Sequence, residues 1–250
     1  MKNQFASVVL TLAMSAVCGM ASAQDFMPTY TPDFQTSMAL NTVVGNQLER
    51  DSRRGLASSS SSSSASSPAA SGAAGAVSTF YRASPAVTSR VKRQFAAFVG
   101  STGGDQAGIT AAMEREDFFA RWGRHVSQYG LRRGSVADAM TAYWVLNWQI
   151  ANDVREVDRS QVSAVRSQVQ SILGGSLGFS RLDDAQKQEM AEAMILNFIA
   201  QSVAYEDAMA ANDAGMQRRL QNAAVARFNN EMGVDLRNIR LTNTGFTPGA

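Results

Sequence analysis

"VADAMTAYWVLNWQIAND", Val136–Asp153, is the stretch that decides how this chain is read. It holds Trp144 and Trp148, two of the three tryptophans. Placed on a helix at about 100° per residue, Asp138, Thr141, Gln149 and Asn152 share about a quarter of the circumference. Asp153 falls beside them, and Asn147 stands on the opposite side. Every other position is apolar or small. A helix apolar nearly all round is buried in the middle of a domain. Burying Tyr143, Trp144 and Trp148 contributes about 4–6 kcal/mol each as an upper bound, reason enough for their presence. The competing expectation is a platform for a small apolar ligand or a carbohydrate. Tyr143, Trp144 and Trp148 would then form its floor, and Asn147 would orient the ligand.

The flanking segments read as further helices. Ser84-Pro85 starts one, with Ser at the cap and Pro in the first turn. Val87, Val91, Phe95 and Phe98 follow at helical spacing. Ile109 to about Tyr129 carries Met113, Phe118, Phe119, Trp122 and Val126, with a break expected near Glu114–Asp117. Gly130 and Gly134 frame a turn, and Ser135 caps the quoted helix. Asp158 or Ser160 opens the next helix, which runs to Gly174 through Val162, Val165, Val169, Ile172 and Leu173. Ser180 with Asp183 resembles a capping box ahead of a long helix to about Ala211. Asn212-Asp213 makes a turn. Met216, Leu220, Ala224, Phe228 and Met232 line a last helix closed by Gly233. After it, "VDLRNIRLTNTGFTPGA" reads as a tail whose Leu236, Ile239, Leu241 and Phe246 pack back on the bundle. No run of period-two alternation stands out. The fold class expected is all-α: an irregular bundle of about five or six helices over residues 79–250, preceded by a disordered Ser/Ala-rich linker.

Five stretches occur in order: "SPAVTSRVKRQF", "GLRRGSVADAMTAYWVLNWQIAND", "VSAVRSQV", "DDAQKQEMAEAMI" and "GVDLRNIRLTNTGF". Together they resemble a family of exported bacterial proteins known only as a domain of unknown function. The V-A-D-A…A-Y-W…W pattern is the most specific element, and the resemblance covers about Tyr81 to Phe246. It implies a helical exported domain. It brings no activity, cofactor or catalytic residue with it.

Residues 1–23 read as a secretory signal peptide. Lys2 is the positive end, Phe5–Val17 is apolar or small and too short to span a bilayer, and "ASA" at Ala21–Ala23 fits a cleavage site. Cys18, the single cysteine, lies inside it. A lipoprotein reading needs a small residue just before that cysteine, and Val17 is a poor one. The mature chain is expected to begin at Gln24 without a thiol, hence without a disulfide or a thiolate ligand. No transmembrane segment is expected in it, because no later run approaches about 18 uninterrupted apolar residues. Residues 24–55 form an N-terminal segment. Its "FMPTYTPDF" is expected to be extended, and "SMALNTVVGNQLERDSRR" offers a weak amphipathic helix. This segment is either disordered or a short docking element for a protein partner or a membrane surface. "LASSSSSSSASSPAASGAAGAVS", residues 56–78, is a linker too poor in apolar surface to offset chain entropy.

Composition narrows the function classes. With 45% hydrophobic residues and 23 Lys+Arg against 21 Asp+Glu, the chain is globular and nearly neutral. It lacks the basic face of a nucleic-acid binder, so no nucleic acid is expected as a partner. The tempting motifs fail on context. "GGSLG", Gly174–Gly178, matches G-x-S-x-G, but a helix precedes it and His125, the sole histidine, lies upstream instead of downstream. "SRVK", Ser89–Lys92, lacks the partner motifs S-D-N and K-T-G, and both side chains are expected on a solvent face. One histidine and no mature cysteine make a zinc site improbable. The carboxylates Glu114/Glu116/Asp117, Asp183/Asp184, Glu189/Glu192 and Glu206/Asp207 cannot be paired across a cleft from spacing along helices. No catalytic, cofactor-binding or metal residue is therefore assigned, and no cofactor is called for. The function expected is a non-enzymatic interaction or structural protein of the cell envelope, periplasmic or extracellular. The alternatives are a hydrolase of envelope glycans or peptides and a small-ligand or carbohydrate module built on the aromatic helix.

Overall fold

The structure is a computed structural model, and it describes residues 77–249. The expected signal peptide, the N-terminal segment and nearly all of the linker lie outside the described residues. The described part is helical: α1 Pro85–Ser101, α2 Gln106–Arg115, α3 Phe118–Val126, α4 Val136–Asn152, α5 Arg159–Gly174, α6 Leu177–Ser180, α7 Asp184–Ala210 and α8 Ala214–Met232. Two short strands follow, β1 Ile239–Thr242 and β2 Gly245–Pro248.

The helix count exceeds the expected five or six for two local reasons. The Glu114–Asp117 break divides one predicted helix into α2 and α3. Asp117 then caps α3, its carboxylate accepting from the Ala120 amide at 2.9 Å. The Gly174–Gly178 loop also contains a single turn, α6.

The quoted helix, α4, sits at the centre and packs against α5, α7 and α8. Most of its polar stripe is interior too: Asp138, Thr141 and Gln149 are buried and Asn152 is half-buried, while Asn147 on the opposite side is buried as well. Each makes at least one hydrogen bond locally or to a neighbour, although Gln149 Oε1 has no partner among the described residues. Thr141 Oγ1 donates to the Ala137 carbonyl at 2.7 Å. Gln149 Nε2 donates to the carbonyls of Val154 and Arg155. Asp138, 0% exposed, accepts from Arg166 Nε of α5 at 2.5 Å and from the Arg132 amide at 3.0 Å. The pair, fully buried on the Asp138 side and 27% exposed on the Arg166 side, ties α5 to α4.

Asp158 and Gly233 take the cap positions expected of them, whereas the caps of α7 and α1 differ from the expected ones. Asp158 precedes α5, and its amide donates to the Gln161 side chain at 2.8 Å. The capping box before α7 is Asp183 with Gln186, not Ser180 with Asp183: each side chain accepts from the other's amide, at 2.8 and 3.0 Å. Ser84 occupies the cap position of α1 without a side-chain cap bond. The Gln188 side chain of α7 serves instead, accepting from the Ser84 amide at 2.7 Å and donating to its carbonyl at 3.0 Å. Gly233 closes α8 with φ 68°, a left-handed turn that favours glycine.

The predicted tail is a hairpin. β1 and β2 are antiparallel, with Leu241 opposite Phe246 and Thr242 opposite Gly245. Strands of four residues are too short to display an alternation. The hairpin is held from outside by side chains of α4 and α5. Gln168 behaves as an extra strand residue, donating to the Phe246 carbonyl at 3.0 Å and accepting from its amide at 2.7 Å. A Cβ at Gly245 would collide with this amide at 2.2–2.8 Å, so only glycine fits there. Gln161 Nε2 reaches the Leu241 carbonyl, and Trp148 Nε1 the Ile239 carbonyl at 3.0 Å.

Replacing Arg166 with methionine strands a buried Asp138 carboxylate, so Arg166→Met is expected to cost about 3–5 kcal/mol in urea denaturation. A loss below about 1 kcal/mol would mean that the pair contributes no more than an exposed ion pair.

Candidate functional site

The four aromatic-helix candidates are held by the fold itself. Tyr143 is 5% exposed and stacks on Phe228 of α8, with centroids 6.0 Å apart. Trp144, 4% exposed, meets the same ring edge-on at 6.4 Å. Asn147 is 0% exposed; its Nδ2 donates to the Tyr143 carbonyl at 2.8 Å, and its Oδ1 accepts from Arg227 Nη1 at 2.5 Å. Trp148 is half-buried under the hairpin, its ring 6.4 Å from Phe246. α8 and the hairpin thus occupy the places a ligand on this helix would need.

The decoy motifs land in structural positions. Ser176 is buried and caps α6, its hydroxyl accepting from the Phe179 amide at 3.2 Å. Ser89 is exposed as expected, but Lys92 is half-buried and donates to the Met113 carbonyl at 2.9 Å, tying α1 to α2. His125 is half-buried on α3 with its ring 6.2 Å from Phe198. Among the described residues no group of three or more His, Cys, Asp or Glu side chains is placed to hold a metal ion.

The carboxylates separate into distinct environments. Glu189 pairs with Arg90 at 2.7 Å, and Glu116 with Arg121 at 2.9 Å. Asp153 accepts from Tyr205 at 2.6 Å, joining the end of α4 to α7; burial and then this carboxylate push the Tyr205 hydroxyl up to about 12. Glu192 is the unusual one. It is 4% exposed, with Oε1 accepting from Thr88 at 2.8 Å and Gln188 at 2.9 Å. Its Oε2 has no hydrogen-bond partner among the described residues. Burial pushes its pKa up, against the opposing pull of those two bonds, Arg133 and Lys92. The same surroundings raise Tyr81, through burial first and the Glu192 charge second. Sequence alone could not single out Glu192, because Gln188 is its neighbour one turn earlier on α7 while Thr88 reaches it from 104 residues away in the chain. This cluster joins the start of α1 to the first turns of α7.

One open feature among the described residues is a groove between α3 and α7. α3 supplies Phe118, Arg121, Trp122 and His125, one face of the helix at i, i+3, i+4 and i+7. α7 supplies Phe198, Ile199, Ser202 and Val203. Trp122 meets Phe198 edge-on, with centroids 6.5 Å apart and planes at 84°. The space open to the centre of a water molecule is about 20 Å³. That holds about one water or a methyl-sized group. Sequence reasoning placed Trp122 in the core and missed the groove, which exists only because α7 passes beside α3.

No helix among the described residues is long and apolar enough to cross a membrane. The model of a family of unknown function, DUF6683, matches residues 4–247, and the chain belongs to that family. The match extends beyond the expected Tyr81–Phe246 and takes in the Ser-rich stretch and most of the leader-like segment. No curated protein and no solved structure matches the chain.

Two outcomes follow for this region. With Trp122 replaced by Phe, Trp144 and Trp148 should emit in the blue and resist iodide; red-shifted, strongly quenched emission from a folded sample would mean that α4 is open to solvent. For Glu192, the folded protein keeps its proton to higher pH than the unfolded chain does. The stability this confers is complete below the ordinary carboxylate range and is lost as pH rises through the raised value. Glu192→Gln keeps the acceptor oxygen and removes the charge. The variant should therefore gain on the parent in thermal stability as pH rises from 4 to 8. A parent–variant difference that stays constant over that range would show Glu192 titrating as an ordinary carboxylate.

Proposed function

We propose that this protein is a non-enzymatic interaction or structural protein of the cell envelope, exported through the secretory pathway to the periplasm or beyond. The observation that carries this reading is the α3–α7 groove. Its walls are aromatic and aliphatic, and Arg121 and His125 flank them. Sites that take a drug-sized ligand usually enclose several hundred Å³. About 20 Å³ takes no more than the methyl-sized tip of a side chain pressed into the surface by another polypeptide.

The chemistry of the remaining residues points the same way. Of the carboxylates singled out in sequence, Glu189 and Glu116 are engaged with Arg90 and Arg121, and Glu192 with Thr88 and Gln188. The leader-like residues 1–23 and the Ser-rich linker support export of a domain that carries a tethered segment in front of it.

A photo-crosslinking residue at Ile199, expressed in intact cells, should give a discrete adduct within the envelope fraction, and the same probe at exposed Ser163 on α5 should not. The reading falls if the purified domain turns over an envelope glycan or peptide and loses that activity when one carboxylate, such as Glu192, is replaced.

A further inference from the structure

We propose that residues 77–84, the strap by which the described chain enters the domain, are seated while Glu192 is neutral and released once Glu192 carries charge. The fold then contains a pH-operated catch. This goes beyond the interaction reading and holds whether or not the α3–α7 groove takes a partner.

The strap is lightly held. Within it only Thr79 is buried. Two backbone bonds seat it at the start of α4: the Val136 amide donates to the Thr79 carbonyl at 2.9 Å, and the Tyr81 amide to the Gly134 carbonyl at 3.1 Å. Two side chains of α7 hold its ends. Lys187 Nζ donates to the Ser78 carbonyl at 3.0 Å, and Gln188 bonds both the amide and the carbonyl of Ser84. A segment with so little buried surface opens at a lower free energy than the core beneath it.

Gln188 couples the strap to Glu192. Its Nε2 carries two protons. Three acceptors lie within 3.0 Å of that nitrogen: the Ser84 carbonyl, Thr88 Oγ1 and Glu192 Oε1. One of them goes short. A hydrogen bond to a carboxylate is roughly twice as strong as one to a neutral acceptor, so a charged Glu192 draws Gln188 away from the strap and α1. The other oxygen sharpens the conflict. Glu192 Oε2 is buried with no hydrogen-bond partner among the described residues, and a charge shared onto it has to be hydrated. The strap sets Tyr81 against this carboxyl, within reach of its charge. Lifting the strap admits water to Oε2 without disturbing the packed helices.

The surrounding charges do not cancel this cost. Arg133, from the loop before α4, and Lys92, from α1, both favour the charged carboxylate, yet neither pairs with it among the described residues. Arg133 bonds Asp117, the cap of α3, at 3.5 Å, and Lys92 donates to the Met113 carbonyl of α2. On α7 itself, Glu189 is held by Arg90 of α1 at 2.7 Å. The strap brings Tyr81 and an exposed Arg82. Burial first and the Glu192 charge second raise Tyr81, which therefore stays neutral through the physiological range. The direction of the catch follows from burial. A seated strap holds the Glu192 proton to higher pH, and release returns the carboxyl toward its ordinary range. The strap is seated at low pH and lifts as pH rises through the raised value.

The test is amide hydrogen exchange on the full chain, read as protection factors so that the chemical effect of pH on exchange drops out. The Tyr81 and Val136 amides report the strap, and the amide of Val165, a fully buried residue of α5, reports unfolding of the domain. Between pH 4 and pH 8 the protection of Tyr81 and Val136 should fall about tenfold, and at every pH it should lie well below that of Val165. In Glu192→Gln the same two amides should keep a level protection across the range. Protection of Tyr81 and Val136 that ignores pH in the parent overturns the proposal. So does protection equal to that of Val165, which would mean that the strap leaves only when the whole domain unfolds. An equal fall in Glu192→Gln also overturns it, by assigning the response to another group. Should Glu192→Gln fail to fold, the parent decides through carbon NMR of the Glu192 carboxyl. A titration midpoint that coincides with the loss of Tyr81 protection supports the catch, and midpoints that differ overturn it.

Discussion

A helix without an outward face has to be enclosed, and α4 is such a helix. Its apolar residues drive the enclosure, because leaving Tyr143, Trp144, Val145 and Leu146 in water would forfeit several kcal/mol. Its polar residues decide how the enclosure is arranged. Asp138 draws Arg166 and so places α5; Asn147 draws Arg227 and so places α8; Asp153 at its end receives Tyr205 and so places α7. The hydrophobic effect sets the compactness, while three directional contacts on one helix set the neighbours. Such polar contacts add little net stability, yet each penalises an alternative packing that would leave a buried group unpaired.

The same economy explains the periphery. The C-terminal hairpin has too few residues to stand alone, since an isolated two-stranded hairpin is marginal in water. It forms because Gln161, Gln168 and Trp148 present hydrogen-bonding groups to its backbone. The start of α1 is completed in a similar way by Gln188 from α7. Long-range side chains thus take the role that local caps usually fill. The cost is a buried Glu192 whose second oxygen lacks a partner among the described residues. That cost sits at the joint between α1 and α7.

The aromatic residues that look most like a binding platform are absorbed into this framework. The surface left for binding is less conspicuous in sequence: the α3–α7 groove, apolar at its floor and basic along α3.

By itself the sequence determined the helical class, the central position of Val136–Asn152 and the break between α2 and α3. These follow from periodicity, capping chemistry and composition, which are local properties of the chain. It also exposed the G-x-S-x-G and S-x-x-K matches as decoys, because each motif needs a context the neighbouring residues deny. Only the tertiary structure decided that the polar stripe of α4 faces inward, that Gln188 caps a helix about a hundred residues away, that the tail is a hairpin, and that Trp122 and Phe198 wall a groove. Each of these depends on which helices become neighbours. That choice is made by contacts between residues far apart in the chain, whose pairing no local spacing encodes.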